Sequence, residues 1–294
     1  MSLKHWLQNR RIGGTTAPVE SSNGNFWRGL AIPVFAGKTF VWYSSDVQQA
    51  YKDHAGQRYT PESFNYSFNS HGYRCDEFTL KGPSICFVGC SITIGVGLPV
   101  TDTWAWKFKT LVEEAIGHPI IYWNLGHGGK SLPWIARTFY LSRDVIDPDY
   151  VIAYLPDGSR DELYGEGLIS DLCYPYMPIP SNEIPGFVRM MSTEQSAGKL
   201  ARTLAFFDAL LGKSASGYSW GYWGSSPDFE KAFTDFTGKR FEANRFHSMI
   251  EHEPIEKARD DLHSGPRSNE DFANRLFAEI GDQVISKIKE KWKI

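Results

Sequence analysis

Ile85-Cys86-Phe87-Val88-Gly89-Cys90-Ser91-Ile92-Thr93 begins as a short apolar run, stops at a glycine and delivers a serine among small residues. A bounded run of this kind suits a strand buried on both faces of a parallel sheet, and the small residues after it permit a tight turn. Capping candidates Thr101 and Asp102 come next, then Trp104, Phe108, Leu111, Val112 and Ala115 at helical spacing, and Gly117 to close the helix. The cycle repeats with Ile120 to Trp123, a glycine-rich turn at Gly126 to Gly129 and a helical stretch from about Trp134 to Val145. Val151 to Leu155 starts a third round. Strand, turn and helix in succession imply right-handed crossovers, hence an α/β fold with a parallel sheet between two helical layers. Ligands of such sheets bind at the carboxyl ends of the strands, where Ser91, Gly129 and Arg160 each follow an apolar run.

Outward from this core the pattern weakens. Residues 1–80 are rich in aromatic, Gly, Asn and Ser residues and read as loops and short strands packed on the main domain, residues 81–294. Residues 164–250 are broken by Pro175, Pro178, Pro180 and Pro185, carry an apolar helix near Leu200 to Leu211, and read as an insertion capping the sheet. The last helix is announced by Ser268 with Asp271 as a capping-box-like start and by the stripe Phe272, Leu276, Ile280, Val284 and Ile288.

Composition removes several function classes. The 294 residues carry 31 Lys+Arg against 34 Asp+Glu, a net charge of -3, so no broad basic surface or polybasic tract awaits nucleic acid or anionic lipid. Cys75, Cys86, Cys90 and Cys173 are too sparse for a disulfide framework and lack a matching Cys/His pair for zinc; they read as reduced thiols, with no structural metal. Met1 to Gly14 has basic residues but no apolar core of a secretory signal, and Ser84 to Val100 holds too many Gly and Pro residues for a membrane span, so cytoplasmic is the default expectation.

A serine hydroxyl becomes a nucleophile only when an imidazole takes its proton and a third group fixes the imidazole tautomer. Asp260 and His263 lie three apart in Arg259-Asp260-Asp261-Leu262-His263-Ser264-Gly265, a spacing that puts both side chains on one side of a helical or tight-turn backbone. Asp261 is the alternative carboxylate. His127 reads as exposed or structural, and His71 as a loop residue. Tyr218-Ser219-Trp220-Gly221-Tyr222-Trp223 reads first as core, with stacking on a sugar ring as the alternative.

The order and spacing of these residues resemble the SGNH (GDSL-like) hydrolase superfamily. Gly89-Cys90-Ser91 is similar to its first block, with Cys90 where an acidic residue is usual, and Asp260 to His263 to its Asp-x-x-His ahead of the last helix. Asn124-Leu125-Gly126-His127-Gly128-Gly129 looks like the second block, whose glycine, here Gly129, lends a backbone N–H to the oxyanion hole together with that of Ser91. Gly158-Ser159-Arg160-Asp161 departs from the third, Gly-x-Asn-Asp, by placing arginine for asparagine. Arg160 is then an oxyanion donor, a receptor for an anionic substrate group or a structural ion-pair partner. The resemblance implies a three-layer fold and a cofactor-free serine esterase, with a small O-acyl group, such as acetyl on a glycan, as substrate. A binding or structural component that keeps the fold, for example in a virus particle or other assembly, is the rival; a lipid or thioester substrate is a third reading.

Overall fold

The computed structural model describes residues 30–48, 59–60, 62–158, 160–165, 168–172, 193–211, 217–223, 227–238, 245–246 and 256–294. Two short strands, β1 (Thr39–Phe40) and β2 (Tyr66–Ser67), pair antiparallel in the N-terminal segment. The core then runs β3 (Ser84–Gly89), the single turn α1 (Ser91–Ile94), α2 (Trp104–Ile116), β4 (Ile121–Asn124), α3 (Leu132–Ser142) and β5 (Tyr150–Leu155). An antiparallel hairpin, β6 (Asp161–Gly165) with β7 (Leu168–Leu172), precedes α4 (Thr193–Leu211), β8 (Gly217–Tyr222), α5 (Pro227–Thr237) and α6 (Pro266–Trp292).

The central sheet has the order β4-β3-β5-β8, and every pair in it is parallel. β3 and β5 are buried at every residue, as their uninterrupted apolar runs require. Their side chains alternate between two cores. Cys86, Val88, Val151 and Ala153 pack with Leu132, Ile135 and Phe139 of α3 and Leu200, Leu204 and Phe207 of α4. Ile85, Phe87, Ile152 and Tyr154 face Trp104, Phe108 and Val112 of α2 and the Phe272–Ile288 stripe of α6. This is the three-layer α/β/α architecture, and each fully buried Leu, Ile or Phe stabilises it by about 1.5–3 kcal/mol relative to exposure. From the first core strand β3 the chain goes to β4 on one side and returns to β5 on the other. The strand order therefore reverses between β3 and β5, which opens a crevice at their carboxyl ends.

A third apolar cluster joins the N-terminal segment to this crevice: Tyr43, Phe64, Tyr66 and Phe68 pack with Ile94, Val96, Leu98 and Ala258. Buried Arg74 fixes the loop after α1 by donating to the carbonyls of Ile94, Gly95 and Leu98 at 3.2, 3.0 and 2.8 Å.

Several local expectations shift. Thr103, not Thr101 or Asp102, caps α2 by accepting the Trp106 N–H, because residues 100–102 are spent in a 3-10 turn. α6 starts at Pro266 behind Gly265, two residues before Ser268; proline's fixed φ is already helical and its missing N–H needs no cap. The segment 164–250 does more than cover the sheet, since it supplies β8 as the strand beside β5. Trp220 and Tyr222 point into the core from that strand, so their faces are closed to a sugar. Cys75, Cys86 and Cys90 are free thiols; Cys173 and the four prolines from Pro175 to Pro185 lie outside the described residues. No helix among the described residues is long and apolar enough to cross a membrane.

Candidate active site

Ser91 opens α1 directly after β3. The turn between them demands Gly89: a Cβ there would sit 2.0 Å from Thr93 Oγ1 and 2.6 Å from the Tyr154 carbonyl oxygen. Asp260 and His263 come from the irregular segment ahead of α6, held by Arg259 N–H to the Gly97 carbonyl at 2.9 Å and Ala258 N–H to the His263 carbonyl at 2.9 Å. The three side chains meet. His263 Nδ1 lies 2.6 Å from Asp260 Oδ2, and His263 Nε2 lies 2.8 Å from Ser91 Oγ.

The carboxylate fixes the tautomer. With Asp260 ionised, Nδ1 carries the hydrogen and donates, so Nε2 is the acceptor and the Ser91 hydroxyl donates to it. The other neighbour of that hydroxyl, Cys90 Sγ, is 4.0 Å away, too far to compete. Asp260 is itself tightly held: Oδ1 accepts the N–H groups of Leu262 (3.2 Å) and His263 (3.0 Å), and Oδ2 accepts the Ser45 hydroxyl at 2.7 Å besides the imidazole. Burial alone would push its pKa up, but the hydrogen bonds and charge of His263, with the Ser45 hydroxyl, outweigh it and hold the carboxyl below its ordinary value. Asp261 takes a left-handed turn conformation with φ 53° and donates its N–H to the Ala258 carbonyl at 3.0 Å.

The turn Gly126–Lys130 lies at the end of β4. Its His127 is buried and structural: Nε2 donates to the Gly72 carbonyl at 3.0 Å, and Nδ1 accepts the Tyr43 hydroxyl at 2.8 Å. Burial, reinforced by the charge of Lys130, pushes its pKa down to about 3, so it is neutral at physiological pH. The Tyr43 oxygen accepts the Gly128 N–H at 2.9 Å in return, which pins the turn that carries Gly129. Arg160, 8% exposed, reaches this turn from the end of β5: its Nη1 lies 3.4 Å from the Lys130 carbonyl and its guanidinium rests 4.8 Å from the Trp223 ring centre. A recess lined by Ile92, Val96, Leu98 and Asn269 lies against Ser91 and His263, with room of about 10 Å³. That is the space of about one water molecule. Among the described residues no group of three His, Cys, Asp or Glu side chains is placed to hold a metal ion.

Sequence reading located Ser91, Asp260 and His263, which the fold brings into one hydrogen-bonded chain, and Gly129 and Arg160, which lie on turns at the same sheet edge. It missed Ser45, Tyr43 and Arg259. Their only sequence signals are ordinary polar and aromatic residues in an irregular stretch, and the partners of Ser45 and Tyr43 are 215 and 84 residues away.

Sheet order, the serine at the end of β3 and the Asp-x-x-His ahead of the last helix are the features that resemble SGNH hydrolases. No family model matches the chain, and no curated protein sequence matches it. Among solved structures it is similar to a family 3 carbohydrate esterase from Clostridium thermocellum, at 14% identity over 70% of this chain and 98% of that one, with a TM-score of 0.46. It is also similar to a psychrotrophic esterase from Pseudoalteromonas sp., at 12% identity over 68% and 98% of the two chains and a TM-score of 0.43. An acetyl-xylooligosaccharide esterase from Geobacillus gives 13% identity over 68% and 95%, with a TM-score of 0.41.

Proposed function

We propose that this protein is a serine esterase that removes a small O-acyl group, of acetyl size, from an alcohol such as a carbohydrate hydroxyl. The observation that carries the reading is the unbroken hydrogen-bonded chain from Ser91 Oγ through the imidazole of His263 to the Asp260 carboxylate, at 2.8 and 2.6 Å. In this reading Ser91 Oγ attacks the ester carbonyl while His263 Nε2 takes its proton. Asp260, kept ionised, stabilises the imidazolium. The backbone N–H groups of Ser91 and Gly129, with the Arg160 guanidinium, face the oxygen on which charge develops. The imidazolium then protonates the departing alcohol, and a water deprotonated by His263 hydrolyses the acyl-enzyme.

The test is fluorophosphonate labelling of the full chain together with turnover of p-nitrophenyl acetate. Modification mapped to Ser91, with label and turnover both lost in Ser91→Ala, is the expected result. A parent protein that neither labels nor turns over ester overturns the esterase reading in favour of a binding or assembly protein that retains the fold.

A further inference from the structure

Tyr43 to Asp46 form a tight turn closed by two backbone hydrogen bonds, Tyr43 N–H to the Asp46 carbonyl at 3.0 Å and Asp46 N–H to the Tyr43 carbonyl at 3.1 Å. Ser44 at its corner has φ 59°, a left-handed conformation that L side chains rarely adopt. Strain of this kind persists only where surrounding contacts enforce it. Here they do. Tyr43 holds His127 and the Gly128 N–H on one side of the site. Ser45 donates to Asp260 Oδ2 on the other, the same oxygen that receives the imidazole N–H. Asp46 binds Arg259, the residue before Asp260, through a buried pair with Nη2 to Oδ2 at 2.6 Å.

We propose that the Tyr43–Asp46 turn is a positioning element of the Ser91 site, with Ser45 the residue that fixes the Asp260 carboxylate under His263. The proposal rests on the serine-esterase reading for its catalytic consequence. A carboxylate has about four acceptor directions, and Asp260 fills them with Leu262 N–H, His263 N–H, His263 Nδ1–H and the Ser45 hydroxyl. Of these, only the Ser45 bond comes from outside the Asp260–His263 segment. It anchors the carboxylate to a separate part of the fold, so the imidazole keeps its angle to Ser91 while the segment fluctuates. The Tyr43 hydroxyl does the same for the turn that carries Gly129. One four-residue turn therefore sets the separation between the base and the oxyanion donors.

Ser45→Ala, Ser45→Thr and Tyr43→Phe in the full chain test this, read by kcat, KM, thermal midpoint and the low-field proton resonance of His263 Nδ1–H, assigned by its loss in His263→Gln. Ser45→Ala is expected to lower kcat at least tenfold with KM within twofold and a midpoint lower by only a few degrees, and to shift or broaden that resonance. Ser45→Thr, which keeps the hydroxyl, restores both. Tyr43→Phe is expected to lower kcat and leave the resonance in place. Parent-like kcat in Ser45→Ala, or an unmoved resonance in that variant, overturns the role of Ser45; parent-like kcat in Tyr43→Phe overturns that of Tyr43. Should the parent turn over no ester, the esterase reading fails separately, and the resonance, which needs no turnover, still decides whether Ser45 fixes the Asp260–His263 pair.

Discussion

Arg259 and Asp46, 213 residues apart in sequence, form an ion pair with both side chains fully buried: Nε and Nη2 lie 3.0 and 2.6 Å from Asp46 Oδ2. Nη2 also donates to the Val41 carbonyl at 2.6 Å, Nη1 donates to the Thr60 carbonyl at 3.4 Å, and the guanidinium lies over the faces of Trp42 and Phe64. Asp46 receives the Tyr66 hydroxyl at 2.6 Å. Removing one member of such a pair strands a charge in a dry interior, which costs about 3–5 kcal/mol, whereas removing both costs far less than twice that. Asp46→Ala and Arg259→Leu are each expected to lose about that much in urea unfolding, and the double variant to lose clearly less than their sum. Additive losses would mean that the two side chains stabilise the fold independently.

Gly97 and Gly117 have nearly the same backbone, φ 80° and 71°, in different surroundings. A Cβ on Gly117 meets nothing within 4 Å; on Gly97 it would lie 2.7 Å from Ala258 Cβ, 3.0 Å from Asp260 Oδ1 and 3.1 Å from Arg259 N. Gly117→Ala therefore carries only the conformational cost, about 1 kcal/mol. Gly97→Ala is expected to cost about 2–3 kcal/mol and to lower kcat as well, because the new methyl displaces the Asp260 segment. Equal losses in the two variants, with kcat intact, would show that the segment gives way without disturbing Asp260.

The legible part of this molecule is the part built from neighbours in sequence. Val151 to Leu155 announces β5 because a strand buried on both faces needs apolar residues without a break, and Asp260 with His263 announces a pair because three residues bring them together locally. β8 was hidden because Gly217, Ser219 and Gly221 interrupt its run; the first and last take close approach from Tyr150 and Phe246 ring atoms, at 2.6 and 2.2 Å from an added Cβ. Ser45 was hidden for a different reason. A serine donating across 215 residues leaves no spacing or period in the chain, and only the tertiary fold brings it to Asp260.

His127 gives the protein an acid sensitivity of predictable sign. Its folded pKa, pushed down by burial to about 3, lies below the unfolded value of about 6.5, so the unfolded state takes the proton first. The stability that neutral His127 contributes is complete above about pH 6.5 and drains as pH falls towards the folded value. Between pH 7 and pH 5 the loss amounts to about 2 kcal/mol at about 1.4 kcal/mol per unit. Denaturant melts of the parent and His127→Gln at both values check this. The variant is expected to start less stable at pH 7, because the Tyr43 and Gly72 bonds are disturbed, and to fall less on acidification. An equal fall in both proteins would assign the sensitivity to other groups.

Arg160 stands where the family resemblance calls for asparagine, and three roles make different demands on its variants. An oxyanion donor acts only in the transition state, so its loss lowers kcat about 10²–10³-fold and leaves KM alone. A receptor for an anionic group would raise KM for a charged ester and spare a neutral one. A structural ion-pair partner would lower the thermal midpoint and leave kinetics unchanged. The first role is the one to test: Arg160 lies against the Lys130 carbonyl, one residue beyond Gly129, and on the Trp223 ring, which holds a planar donor beside the turn whose Gly129 N–H the family resemblance assigns to the oxyanion hole. Arg160→Ala is accordingly expected to reduce kcat on p-nitrophenyl acetate about 10²-fold at constant KM. Arg160→Lys should recover little of it, since a lysine ammonium cannot reproduce the fork geometry that stacks on Trp223 while reaching the turn. Full activity in Arg160→Ala on this neutral ester, together with a raised KM for an ester carrying a carboxylate, would instead make Arg160 the residue that selects an anionic substrate.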